Sequence, residues 1–423
     1  MGIIIFSVGW ISRWGVICVL FAGGNAVWMA QVAIASEQDS ESFLRQHWQW
    51  PLAPQGSAPE SYSELEASLA PEACGACHEE QLADWSTSLH GQAMGPGLMG
   101  QLLDMAPHAK GEHQACLRCH APLAEQADSL VAELQQPTNP SARAAKQLSQ
   151  KESEQPALHR QGLVCAACHV RNHHRFGPPR KDGSTPAPAD RLPHNGWQVT
   201  DAFQDSRFCA ACHQFEAGEF SLNGKLLENT YEEWRQSRYA SEGVSCQQCH
   251  MPERRHQWRG IHDPEMVRSG VTIDTSGVEL TGNEITAQMR MTNTGTGHRF
   301  PTYVTPQVVM HGFQETANGV RLEGTDSYFV VARRVALNLS AEIFDTRLGP
   351  DETAVLDYRI VRHPQARTLV FRVWVEPDTF YQMFYASRLQ SGQTNRGSAL
   401  LQQALRAAEA SRFTLFEKRM PLL

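Results

Sequence analysis

Cys74-Gly75-Ala76-Cys77-His78 recurs along the chain in four further versions. They are Cys116-Leu117-Arg118-Cys119-His120, Cys165-Ala166-Ala167-Cys168-His169, Cys209-Ala210-Ala211-Cys212-His213 and Cys246-Gln247-Gln248-Cys249-His250. Ten of the 11 cysteines fall in these motifs. The spacing is that of covalent c-type haem attachment. Each cysteine adds across one vinyl group, giving two thioethers on one porphyrin edge, and the adjacent histidine lies under the iron as proximal ligand. A single copy would read equally as half a zinc site or a redox dithiol. Five copies, each with its histidine, leave those readings little room. The expected cofactors are five covalently bound haem c groups with their iron. The ten motif cysteines are the attachment points; His78, His120, His169, His213 and His250 are the proximal ligands.

The motifs begin 42, 49, 44 and 37 residues apart, a quasi-period that implies one short helical unit per haem. Long loops are expected between units, because porphyrin faces replace side chains as core. Residues 128–136 and 142–149 read as helical on either side of the Pro137–Pro140 break, and 178–193 reads as a Pro- and Ala-rich surface loop. No cysteine follows Cys249, and past Asp263 the pattern changes. Ile285, Ala287, Met289 and Met291 alternate with polar residues, as do Leu369, Phe371, Val373 and Val375. Further strands are expected over 270–274, 307–313, 328–336 and 354–360, with closing helices over 381–389 and 400–411. The fold class is therefore α+β and multidomain. A mainly helical and loop-rich multihaem cytochrome c domain (70–265) precedes an immunoglobulin-like β-sandwich (266–377) and a C-terminal helical segment (378–423).

The 423 residues suit two or three domains. Hydrophobic residues make up 41% and charged residues 19%, enough for packed cores. The net charge of −8 excludes a basic nucleic-acid footprint, so no nucleic-acid partner is expected. Residues 1–35 are apolar with Arg13 as their only charge, and Ala33-Ile34-Ala35 reads as a cleavage site. The expected reading is a signal peptide followed by an extension (36–69). The alternative is an uncleaved anchor, the one circumstance in which membrane contact is expected. Either way the rest is exported, and a periplasmic location agrees with haem attachment outside the cytoplasm.

Each iron has a second axial position, and five proximal histidines out of 18 leave 13 to fill it. Context singles out five distal candidates. His90 ends a run in which His78, Leu82, Trp85 and Leu89 recur at helical spacing, so a helix is expected to carry it away from the first haem. His173 follows the third motif; His256 and His262 follow the fifth. His298 sits in Gly295-Thr296-Gly297-His298-Arg299-Phe300-Pro301, a turn between strands. For each, a surface or core histidine is the plainer reading. Met94, Met99, Met105 and Met251 are read as packing. Trp234, Ser237 and Tyr239 repeat the spacing of Trp85, Ser88 and His90, with tyrosine in place of histidine. Tyr239 is read first as a core aromatic and second as lining a haem that lost its distal ligand. Arg235 and Arg238 are read as propionate partners or as positive charge at such a site.

These features resemble the cytochrome c-554-type (c-552/4) multihaem family. The carrying residues are Cys74–His78 with Trp85, Ser88 and His90, then Cys116–Pro122, Cys165–Arg171, and Glu233-Trp234 through Cys246–Pro252. The segment 295–302 resembles a motif of members with a C-terminal β domain. The resemblance covers roughly residues 70–305. It implies closely stacked, largely bis-histidine haems that pass electrons in the periplasm between redox partner proteins. No catalytic residue is assigned. The alternative is a multihaem oxidoreductase acting on a small nitrogen or sulfur compound (nitrite, hydroxylamine, tetrathionate) at one open haem. Related pentahaem nitrite reductases place lysine at the proximal position of their catalytic haem, and no Cys-x-x-Cys-Lys occurs here.

Overall fold

The structure, a computed structural model, describes residues 38–106, 108–135, 156–392 and 394–422. The signal or anchor segment 1–35 and the helix expected over 142–149 lie outside them. Among the described residues no helix is long and apolar enough to cross a membrane.

The N-terminal half is built from short helices that end on the motifs. Lys110–His120, Cys165–His169, Arg207–His213 and Cys246–His250 each stop at the motif histidine. In the first motif His78 instead caps the start of helix Glu79–Thr87, the expected helix leading toward His90. The stretch 36–69 does more than extend the chain. Helix 38–47 carries Phe43 against Phe176 and His47 against Phe203 and Phe208, and Trp48 stacks on Arg171, so it packs on the third motif.

The β domain has nine strands: β1 (Val271–Thr275), β2 (Glu279–Thr281), β3 (Glu284–Asn293), β4 (Gln307–Glu315), β5 (Ser327–Val335), β6 (Glu342–Asp345), β7 (Thr353–Val361), β8 (Thr368–Glu376) and β9 (Phe413–Pro421). They form two antiparallel sheets, one ordered β6-β5-β4-β8-β9 and one ordered β7-β3-β1 with β2 also on β3. The period-two pattern produces this directly, since alternate side chains leave opposite faces. Met289, Met291 and Leu356 from one sheet share a single core with Met310, Phe371 and Val373 from the other. The C-terminal segment contains the two expected helices, Thr379–Gln390 and Ser398–Ala410. It then ends in a strand, β9, rather than in helix. Phe413–Pro421 pairs antiparallel with β8 and so returns the chain to the larger sheet.

Several contacts bind the halves, and two of them go deepest. Helix Ser398–Ala410 lies on helix Pro96–Asp104; Asp104 accepts from the Gly397 N–H at 2.8 Å, and a Cβ on Gly100 would meet Leu401 at 2.8 Å. The second is a buried arginine. Arg333 on β5 donates to the carbonyls of Leu226, Leu222 and Lys225, in the hairpin that follows the fourth motif, and pairs with Glu342 at 2.9 Å.

Candidate haem-ligand site

The motif cysteines cluster in space. Their thiol sulfurs stand here for the thioether sulfurs of attached porphyrins. Cys74 and Cys165 are within hydrogen-bonding reach, as are Cys119 with Cys212 and Cys209 with Cys246. Cys168 is near enough to Cys209 and Cys212 for its charge to bear on both. The first attachment edge therefore lies by the third, and the fourth lies by both the second and the fifth. Cys77 and Cys249 are exposed.

Three pairs of imidazoles face each other. Ring centroids are 6.2 Å apart for His90 and His213, 6.3 Å for His169 and His256, and 6.4 Å for His250 and His298. The His250 and His298 rings are nearly parallel, at 14°. Two metal–nitrogen bonds of about 2.0 Å, with about 1.1 Å from each nitrogen to its ring centre, would put imidazoles on opposite sides of one metal about 6.2 Å apart. The spacing fits one iron between each pair. Each pair unites a motif histidine with a histidine foreseen as distal.

The ring nitrogens sort the histidines in the same way. A metal-bound imidazole usually donates its other N–H to a backbone carbonyl or carboxylate. In His120, His169 and His250, Nδ1 is hydrogen-bonded to the carbonyls of Ala93, Phe176 and Arg259 at 2.7, 2.8 and 2.9 Å, leaving Nε2 for iron. His256 and His298 do the same through the carbonyls of Arg254 and Arg299, both at 2.9 Å. His90 instead has a buried Nδ1 without a partner. Burial, then the neighbouring histidine charges, pushes His90 down to about 3, and burial pushes His169 and His250 down to about 4. All three are neutral near pH 7, the form that binds metal.

Two expected candidates are not brought to a proximal histidine. His173 and Asn172 form the two-residue turn of a small hairpin, both with positive φ, and this aims His173 at the N-terminal segment. Its Nε2 is hydrogen-bonded to the Gly56 carbonyl at 3.1 Å. His262 turns toward the C-terminal segment, where its Nε2 meets Asp378 at 2.9 Å. Tyr239 donates to the Thr294 carbonyl at 2.8 Å and lies against Gly297, beside His298. Arg235 pairs with Glu232, and Arg238 with Asp351 and Glu242.

Residues that spacing did not reveal hold the ligand loops. Asp84 accepts from the backbone N–H of His256 at 2.9 Å and from Arg255 at 2.6 and 2.7 Å. The Arg255 guanidinium, chiefly, holds its carboxyl down to about 2. Glu233 accepts from the backbone N–H of Arg299, next to His298, at 3.1 Å, and from the buried Arg347 at 3.2 Å. His47, pushed by burial down to about 3, uses Nε2 to hold the Cys168 carbonyl at 2.8 Å. The only sequence signal was an acid immediately before each tryptophan, Asp84-Trp85 and Glu233-Trp234.

Five attachment motifs on clustered helices, with neutral imidazoles set across from the motif histidines, define a multihaem c-type cytochrome. A family model described as cytochrome c552 matches residues 57–269, and the chain belongs to that family, carrying five covalently bound haem c groups at its five motifs. The crystal structure of a penta-heme cytochrome c552 from Thermochromatium tepidum is similar in fold. It has a TM-score of 0.54 and 17% identity, and the match covers 85% of this chain and 100% of that one. No curated protein matches the chain.

Proposed function

We propose that this chain is a periplasmic electron-transfer cytochrome whose haems are mostly bis-histidine ligated. His90, His256 and His298 serve as distal ligands opposite His213, His169 and His250. The carrying observation is the set of three ring pairs at 6.2–6.4 Å. Haem iron supplies one-electron chemistry, and two imidazoles on one iron leave no position for substrate. The protein keeps those imidazoles neutral and fixed, and draws the attachment edges together. Exported redox partners make contact at the first and fifth haems, a reading supported by the position of Cys77 and Cys249 at the surface. The two-sheet domain, of immunoglobulin-like type, supplies His298 and backs the haem domain. In the test, His90→Ala, His256→Ala and His298→Ala should each turn one haem from low-spin to high-spin by electron paramagnetic resonance. Unchanged spectra in all three would refute bis-histidine ligation.

A second reading is supported at the second motif. Tyr303 and Tyr381, phenols raised in pKa first by burial, lie close enough to Cys119 and Cys116 respectively to feel their charge. A hydroxyl beside an open iron would donate to a bound small nitrogen or sulfur oxyanion. Turnover of nitrite, hydroxylamine or tetrathionate at about one per second or faster, abolished by Tyr303→Phe, would favour the oxidoreductase.

A further inference from the structure

His194 lies at the end of the loop that the sequence presents as plain Pro-rich surface. It has a left-handed backbone, φ 44°, in the turn Pro193–Asn195. Such a conformation is costly for a residue other than glycine and persists only where its surroundings impose it. The surroundings here are specific. The backbone N–H of His194 donates to Glu66 at 2.7 Å, its carbonyl accepts from the Tyr62 hydroxyl at 3.0 Å, and its Nδ1 is bonded to the Gly196 carbonyl at 2.9 Å. Tyr62 and Glu66 belong to the segment that runs into helix Pro71–Gly75, which opens the first motif.

The same grip recurs at two ligand-type histidines. His256 has its own N–H on Asp84 and its Nδ1 on a carbonyl two residues away; His298 has the next N–H on Glu233 and its Nδ1 on the adjacent carbonyl. A carboxylate holds the loop, a local carbonyl fixes the ring, and Nε2 is left without a protein partner. The histidines that serve structure differ. His47, His113, His159, His173, His262 and His311 all have Nε2 bonded to protein oxygen. His194 falls with the first group.

We propose that His194 Nε2 is the sixth ligand of one haem iron. The proposal deepens the bis-histidine reading and rests on it.

The test uses the fully haem-loaded protein and follows spin state by electron paramagnetic resonance. His194→Ala should move one haem, about a fifth of the total, from low-spin to high-spin, and added imidazole should reverse this. His256→Ala runs beside it. A change in the His256 variant with none in the His194 variant would overturn the assignment of His194 alone. No change in either would overturn bis-histidine ligation as well. If His194→Ala does not mature, His194→Met replaces it: one haem should stay low-spin and rise in potential, as methionine ligation raises haem potentials. Potentials identical to wild type would then reject the proposal.

Discussion

Residues 84–90 and residues 233–239 are two copies of one device with different outcomes. In the first, the Trp85 indole donates to the Leu163 carbonyl at 2.8 Å, Ser88 bonds back to the Trp85 carbonyl at 2.7 Å, and the Leu163 N–H returns to the His90 carbonyl at 2.9 Å. In the second, Trp234 donates to Val244 at 2.9 Å, Ser237 bonds back to Trp234 at 2.7 Å, and the Val244 N–H returns to the Tyr239 carbonyl at 2.8 Å. Leu163 and Val244 each stand two residues before a motif, and each follows a glycine with positive φ, Gly162 and Gly243. The acids ahead of the tryptophans both hold a loop that carries a histidine. The side chain at the end differs. His90 turns inward to face His213, whereas Tyr239 turns outward and tethers Thr294 at the start of the His298 loop. One backbone frame thus presents an imidazole to a motif histidine in the first copy and steadies the His298 loop of another domain in the second.

The glycines give the sharpest way to break the parallel. At Gly162, φ is +68° and a Cβ would lie 2.5 Å from the His90 carbonyl oxygen and 2.6 Å from that of Gly91. At Gly243, φ is +74° with nothing within 4 Å. Gly162→Ala combines left-handed strain with a backbone clash and should cost about 3 kcal/mol or more, while Gly243→Ala should cost about 1 kcal/mol. Thermal melts of both variants measure the difference. Equal losses would mean that the two turns are interchangeable.

The acids come next. Asp84→Asn and Glu233→Gln each remove a charged acceptor from a loop N–H and an arginine, at about 1.5–3 kcal/mol for a hydrogen bond to a charged group. Glu233→Gln should be the more damaging. Its partner Arg347 is 4% exposed, against 43% for Arg255, and losing one of its two carboxylate partners, with Asp345 remaining, costs a buried charge more than an exposed one. Each variant should broaden the low-spin signal of one haem, that of His256 for Asp84→Asn and that of His298 for Glu233→Gln. An effect of either variant on the other haem would show that the grips are not local.

Tyr239→Phe is expected to do least. It removes two exposed hydroxyl hydrogen bonds, one donated to the Thr294 carbonyl and one accepted from Arg238, about 1 kcal/mol in all, and all haems should keep their spin state. A new high-spin signal in that variant would return Tyr239 to the edge of an open iron.

Much of the β domain is legible because alternation is a local property. Ile285, Ala287, Met289 and Met291 face the core as their period requires. Strand β9 is less so: Phe413, Leu415 and Phe416 are followed by Glu417-Lys418-Arg419, and three charges in a row hide the period. Arg372 on the adjacent strand β8 and Glu315 on β4, one strand further in, satisfy Glu417 and Arg419 and make the edge tolerable. Of the distal candidates, His90, His256 and His298 come to face motif histidines, whereas His173, equally close to a motif in sequence, is spun away by its own two-residue turn.

The sequence alone determined the number of haems and the five motifs that offer their attachment points and proximal ligands. Two thioethers and the bond beneath the iron must come from five contiguous residues, so that chemistry is written locally. Tertiary structure alone decided which imidazoles face the motif histidines. Such a pairing needs only a ring at the right distance, and the fold delivers it from a following helix end, a loop after a different motif, or a turn in another domain. The carboxylates and carbonyls that orient those rings are as scattered as the rings themselves, because a hydrogen bond constrains position in space and not position in the chain.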